Sequence, residues 1–301
     1  MVWLVVLFCL PPSFIGSPAQ SSTTIDSDNK YVWGENIGWL NAEGDVTNGV
    51  VIGEAFCSGY LWGENVGWIC MGDGSPDDRH AYSNTNATDF GVNTDPSCNL
   101  RGFAWGENIG WVNFESTGSA AFDPLTSILS GHAWGENVGW MSLSNIHAYV
   151  QTTSLDSGPD TDGDMIPDAW ELGFTNTLAG MNANTDSDGD GDKDREEYVA
   201  GTDPFDPLSL LEITEMVKVP AMSEADITWR SVSKRLYRVQ LNNDLNQTNW
   251  VDSGLGVLSP DAGSETTRSV PLGGPTQQYY RVRSVRPLQH CSGQFLITVT
   301  S

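Results

Sequence analysis

One seven-residue phrase occurs four times in this chain: Trp-Gly-Glu-Asn-Ile/Val-Gly-Trp, at residues 33–39, 62–68, 105–111 and 134–140. Only the fifth place varies, between Ile and Val. The copies hold eight of the twelve tryptophans: Trp33, Trp39, Trp62, Trp68, Trp105, Trp111, Trp134 and Trp140. Units this small cannot each bury a core, so they must share one. Their first tryptophans lie 29, 43 and 29 residues apart, which reads as a duplicated pair with an insert at 71–95. Asn tolerates left-handed backbone and Gly supplies it freely, so Gly-Glu-Asn-x-Gly is a tight connection. The flanking tryptophans then face each other across a hairpin, where an aromatic pair contributes roughly 0.5–1 kcal/mol. With apolar lead-ins at 49–53, 89–93 and 120–124, each unit reads as a three-stranded antiparallel meander, and four of them as an all-β domain.

The tryptophans have two readings. They supply apolar area to a shared core, or they stand outside as platforms for sugar rings, with Glu and Asn as polar partners. Aromatic stripes in repeats are usually core, so the structural reading is preferred. Glu35, Glu64, Glu107 and Glu136 have nearly identical contexts. The acid and base of a glycoside hydrolase need different surroundings to separate their pKa values. No enzyme is therefore expected, and no nucleotide loop or metal-binding His motif offers another route.

The net charge of −25 excludes phosphate backbones and anionic membrane surfaces as partners and favours cations. It is unevenly placed. Residues 1–150 carry 16 acidic against 3 basic groups, 151–207 carry 15 against 2, and 208–301 carry 8 against 9. Three modules follow from this. The start, MVWLVVLFCLPPSFIGSPAQ, has a short apolar run and small residues before a cut after Ala19, the pattern of a signal peptide over 1–19, although no basic residue precedes Lys30. Cys57, Cys70, Cys98 and Cys291 remain, with a disulfide among the first three expected in an oxidising compartment.

Residues 160–171 (DTDGDMIPDAWE) and 186–197 (DSDGDGDKDREE) both fit D-x-D-x-D-x-x-x-D-x-x-E. Hard cations take six to eight oxygens, which closely spaced carboxylates on a tight loop provide. The first set is Asp160, Asp162, Asp164, the carbonyl of Ile166, Asp168 and a bidentate Glu171. The second is Asp186, Asp188, Asp190, the carbonyl of Asp192, Asp194 and Glu197. Positions nine, Asp168 and Asp194, are expected to act through water. Gly191 takes the sharp turn in the second loop, where the first has Met165. Short helices fit near 168–173 and 195–200. The ligand predicted is Ca²⁺.

From residue 208 the pattern turns to strands, at 210–219, 225–232, 236–243, 249–254, 266–272 and 279–285. Six short strands between Asn/Gly/Pro/Ser turns read as a β-sandwich, followed by a tail at 289–301.

The acidic segment resembles the thrombospondin type 3-like calcium repeats of secreted bacterial proteins, through DTDGD…IPDAWE, DSDGDGD…EEYVAGTDPFDP and the Gly201-Thr202-Asp203-Pro204 exit. It also resembles dockerin and EF-hand loops. The resemblance covers about 156–207 and implies a calcium-stiffened connector. The tryptophan units, about 31–145, resemble tandem repeats of exported bacterial proteins of unassigned function, which implies a surface or extracellular location. The expected architecture is mainly β: signal peptide 1–19, antiparallel β repeat domain 20–155, calcium-loop connector with short helices 156–207, β-sandwich 208–288 and tail 289–301. The expected role is that of a secreted, calcium-binding, structural or adhesive protein at a bacterial surface. Polysaccharide or another surface protein is the expected partner, and the mature chain is not expected to insert in a membrane.

Overall fold

The structure, a computed structural model, describes residues 23–45, 47–219, 223–273 and 278–285. The signal segment 1–19, Cys291 and the tail 289–301 lie outside them. Strands dominate the described residues, with two short α-helices. The chain divides into two compact units. The first runs to Gly158, leaving aside Pro124–Thr126, and the second begins at Pro159.

In the first unit each copy of the phrase is the turn of a hairpin. The hairpins pair β1 (Ile25–Gly34) with β2 (Gly38–Asn41) and β3 (Gly59–Gly63) with β4 (Gly67–Gly72). After β5 (Val92–Thr94) come β6 (Leu100–Gly106) with β7 (Gly110–Asn113). After the short β8 (Ala121–Phe122) and β9 (Leu129–Ser130) come β10 (His132–Gly135) with β11 (Gly139–Ser142), and then β12 (Val150–Thr152). Each hairpin pairs with the next, and β11 returns to β1 through Trp33↔Ser142 and Gly34↔Met141. Eight strands thus close into an antiparallel barrel, whose interior is just wide enough for side chains to fill.

The period of two decides which residues fill it. One inward pair comes from each hairpin, in register: Val32↔Leu40, Leu61↔Ile69, Ala104↔Val112 and Ala133↔Met141. All eight are buried. Ile37, Val66, Ile109 and Val138, the variable fifth residues, are buried too. Each folds back over its own hairpin so closely that a Cβ on the preceding Gly would lie 2.4 Å from Ile37 Cγ1 and 2.5 Å from Ile109 Cγ1. That is why Gly34 and Gly106 are glycines.

The expected three-stranded meander forms in the third copy, as β5-β6-β7, and is replaced by a two-stranded hairpin in the others. The lead-in 49–53 makes only isolated bridges, Val51↔Ser58 and Gly53↔Asp156. Residues 89–93 give β5, a third strand on β6, and 120–124 give β8, which pairs with β9 instead of the barrel. Pairing between neighbouring hairpins satisfies the strand edges that a third strand would have covered. The insert is fastened by Tyr82, which is buried, receives a hydrogen bond from Gly74 N at 2.7 Å and packs on Phe56. Cys57, Cys70 and Cys98 are buried and no disulfide joins them, so the expected bridge among the three is not formed. Burial raises the Cys57 thiol to about 11.

The second unit opens with the two acidic loops, each running into a helix, α1 (Asp168–Phe174) and α2 (Asp194–Ala200). Six strands follow: β13 (Ile213–Val219), β14 (Glu224–Arg230), β15 (Leu236–Asn242), β16 (Val251–Asp252), β17 (Glu265–Pro271) and β18 (Tyr279–Val285). They form two antiparallel sheets, β13-β14-β17 and β16-β15-β18. One cluster takes residues from both, including Ile227, Trp229 and Val270 from one and Tyr237, Val239 and Val282 from the other. The acidic segment is bound to these sheets. Buried Arg235 donates to the carbonyls of Val199, at 2.9 Å, and Tyr198, at 2.5 Å, at the end of α2. Ser284 Oγ donates to Val199 O at 3.1 Å. A guanidinium at a helix C-terminus satisfies the last carbonyls and meets the negative end of the dipole.

Candidate metal centre and aromatic surface

The two acidic loops are built alike. Asp160 Oδ1 accepts from Gly163 N at 2.8 Å, and its Oδ2 from Met165 N at 3.0 Å. Asp186 accepts in the same way from Gly189 N at 2.8 Å and Gly191 N at 3.2 Å. These bonds curl the loop around its own carboxylates. Asp160, Asp162 and Asp164 consequently place carboxylate oxygens within 4.8 Å of one another, as do Asp186, Asp188 and Asp190. Asp168 and Asp194 clamp the loops. Asp168 accepts from Thr161 N at 2.6 Å and Thr161 Oγ1 at 2.5 Å, and Asp194 accepts from Ser187 N at 2.9 Å and from Thr185 Oγ1. Ile166 N and Asp192 N each donate to the aspartate two residues back, at 2.8 Å.

Glu171 and Glu197 complete the loops from the helices, and both are almost fully buried. Neither oxygen of Glu171 has a hydrogen-bond partner, and nor do Glu197 Oε2, Asp164 Oδ2, Asp188 Oδ2 and Asp190 Oδ2. A buried carboxylate without a partner is strongly unfavourable as an anion. Desolvation first, then repulsion from Asp164 and Asp162, pushes Glu171 up to about 8. Desolvation and Asp188 do the same to Glu197, again to about 8. Desolvation and neighbouring aspartates also raise Asp164 and Asp190. Orphaned acidic oxygens on loop and helix are the type of donor that hard divalent cations take. A cation held by the three aspartates and the glutamate would supply the missing positive charge. The loops differ in backbone at position six: Met165 is forced to φ +77 where Gly191 adopts φ +109.

The eight tryptophans are not in the core. Inward positions belong to the aliphatic pairs, so the period of two turns every Trp outward. Trp39 is 45 % exposed, and Trp33, Trp62, Trp68 and Trp134 lie between 37 % and 39 %. Trp105, Trp111 and Trp140 are half-buried. The expectation of a tryptophan core is corrected accordingly. The expected pairing across each hairpin is present: Trp33↔Trp39, Trp62↔Trp68, Trp105↔Trp111 and Trp134↔Trp140, with ring centroids 4.7–4.9 Å apart and tilted. Both members of a pair face outward. Sequence reasoning missed a third ring in each set. Tyr31, Tyr60, Phe103 and His132 stand two residues before the first Trp and meet the second edge-on at 6.0–6.2 Å. Their equivalent positions in the four copies were the available signal.

The motif asparagines close a ring. Asn65 Nδ2 donates to Ile37 O, Asn108 to Val66 O, Asn137 to Ile109 O, and Asn36 to Val138 O, all at 3.0–3.1 Å. The glutamates do not join it. Glu35, Glu64, Glu107 and Glu136 are exposed.

No family model, curated protein or solved structure matches this chain.

Proposed function

We propose that this chain is an exported, non-enzymatic, calcium-binding modular protein with a structural or adhesive role outside a bacterial cell. In this reading the second unit is a thrombospondin type 3-like calcium connector running into a β-sandwich. The observation that carries the reading is the buried, unpartnered carboxylate of Glu171 on a loop with three clustered aspartates, matched in the second loop by buried Glu197, whose Oε2 is unpartnered while Oε1 accepts from Thr202 Oγ1 at 3.2 Å. Two bound Ca²⁺ would offset about four of the negative charges and lock loop to helix, so that metal affinity and local folding are linked. Calorimetric titration of the full chain with Ca²⁺ and with Mg²⁺ tests it. Two Ca²⁺ sites, each weakened in E171Q or E197Q, are expected. Absence of Ca²⁺-specific heat at millimolar ion overturns it.

A second reading concerns the first unit. The outward tryptophan pairs favour carbohydrate binding, since half-exposed indole faces beside polar groups are a sugar-site design. The four glutamates share one environment, which supports binding over glycoside cleavage.

A further inference from the structure

We infer that the outer wall of the barrel binds an amine-bearing sugar polymer, with sugar rings stacked on the exposed tryptophans and the neighbouring glutamates paired with the sugar ammonium groups. This inference rests on the carbohydrate reading and names its ligand class.

Each other member of the phrase has a task in the fold. The first Gly clears space for Ile or Val, the second Gly takes φ +77 to +80, Asn closes the ring, and Ile or Val fills the barrel end. The Glu has none. Among the described residues, none of the four carboxylates meets a hydrogen-bond or ion-pair partner. Yet the chain repeats Glu at all four turns, two residues after an outward Trp. Glu35 N and Glu136 N also donate to the carbonyls of Trp140 and Trp111, so these turns abut the neighbouring hairpin's backbone at a tryptophan position.

Charge selects among occupants. The wall combines aromatic faces and carboxylates, and two of the three basic side chains of residues 1–150, Lys30 and Arg101, are already engaged with Glu43 and Asp95. Lys30 shows the chemistry on a small scale, its ammonium 5.9 Å from the Tyr31 centroid while it pairs with Glu43. Cations are attracted to indole faces and to carboxylates, whereas anionic glycans and lipid are repelled. A neutral sugar would use the rings and leave the glutamates idle. A bilayer is excluded by length, since most barrel strands have four to seven residues against the 9–11 that spanning takes. A stable protein interface takes about 800 Å² per partner in one patch, and here the rings are shared among four hairpins around a closed wall. Sites spread in that way cross-link separate chains, and gain by avidity.

The test is titration of the full chain, followed by tryptophan fluorescence, with three hexamers: β-1,4-linked glucosamine, its N-acetylated form, and β-1,4-linked glucose. The glucosamine hexamer is expected to bind about tenfold tighter than the other two, and the margin should vanish in E35Q/E64Q/E107Q/E136Q. Should that variant misfold by circular dichroism, E64Q and E107Q singly must each reduce the margin. Equal binding of all three hexamers overturns the amine assignment and leaves the carbohydrate reading standing. No binding of any overturns both. A margin that survives the glutamate variants overturns the inference, because the attraction then belongs to the net charge of the chain.

Discussion

At the scale of the residue, the repeated phrase divides into side chains that build the barrel and one that does not. Asn65 donates 3.0 Å to Ile37 O, and its equivalents carry that bond from hairpin to hairpin. Removing it in Asn65→Ala is expected to destabilise the chain by roughly 1 kcal/mol, the net worth of one such bond. Glu64→Gln, at an exposed and unpartnered position, is expected to stay within about 0.5 kcal/mol of wild type. Denaturant melts of the two variants side by side check the contrast, and equal losses would contradict the division of roles. Met165 gives a second case. A non-Gly residue at left-handed φ costs roughly 1–2 kcal/mol, and its side chain is 56 % exposed, so little burial is at stake. Met165→Gly is therefore expected to stabilise the first loop and raise its Ca²⁺ affinity several-fold, measured by calorimetry on the full chain. The sequence already showed the departure at this position, because Gly191 occupies it in the second loop.

At the scale of the element, the loop-helix units carry a pH dependence whose sign follows from Glu171 and Glu197. Their ordinary value is 4.5, and burial in the folded chain raises both to about 8. Between those pH values the folded state holds protons that the unfolded state has released. Stability of the metal-free chain is thus fully present below about pH 4.5 and falls as pH rises towards 8. Thermal melts in chelator from pH 5 to pH 8 should show this decline, and E171Q should flatten part of it. With Ca²⁺ the ion takes the place of the proton, so the decline should disappear. These elements were also the most legible. Carboxylate spacing pointed to both loops and the short helices after them, and short segments between Asn/Gly/Pro/Ser turns, two of them clearly alternating, pointed to all six strands of the second unit. The hairpin turns were legible too, since Gly-Glu-Asn-x-Gly admits little else. The orientation of the tryptophans was not. A strand such as Leu100–Gly106 alternates Leu, Gly and Ala on one face with Arg, Phe and Trp on the other, and the bulkier face looks like the core. The interior of an eight-stranded barrel is narrow, and its small and aliphatic face went inside. Closure through β1 and β11 rests on residues more than a hundred positions apart, and no local pattern encodes it.

At the scale of the whole molecule, the two units should answer calcium differently. The proposed ligands all lie after Pro159, and the barrel has none of them. At Ca²⁺ a hundredfold above its dissociation constant, each site stabilises the unit that holds it by about 2.7 kcal/mol, on the order of 10 °C in a domain of this size. Only the second unit's melting transition should move. How far the effect reaches within that unit depends on Arg235, which ties the end of α2 to the sheets. Trp170 reports on the loops, through its ring contact with Tyr198 on α2, and Trp229 reports on the shared cluster of the two sheets. In the wild-type chain both probes should melt together and move together on adding Ca²⁺. Arg235→Met keeps most of the apolar stem but removes the guanidinium donor from the Tyr198 carbonyl and leaves Val199 O with Ser284 Oγ alone, at a cost of about 1–3 kcal/mol. In that variant the Trp170 signal should still respond to Ca²⁺ while the Trp229 signal should lose most of its shift. If Trp229 instead keeps its full response, the loops stabilise the sheets by some route other than the guanidinium.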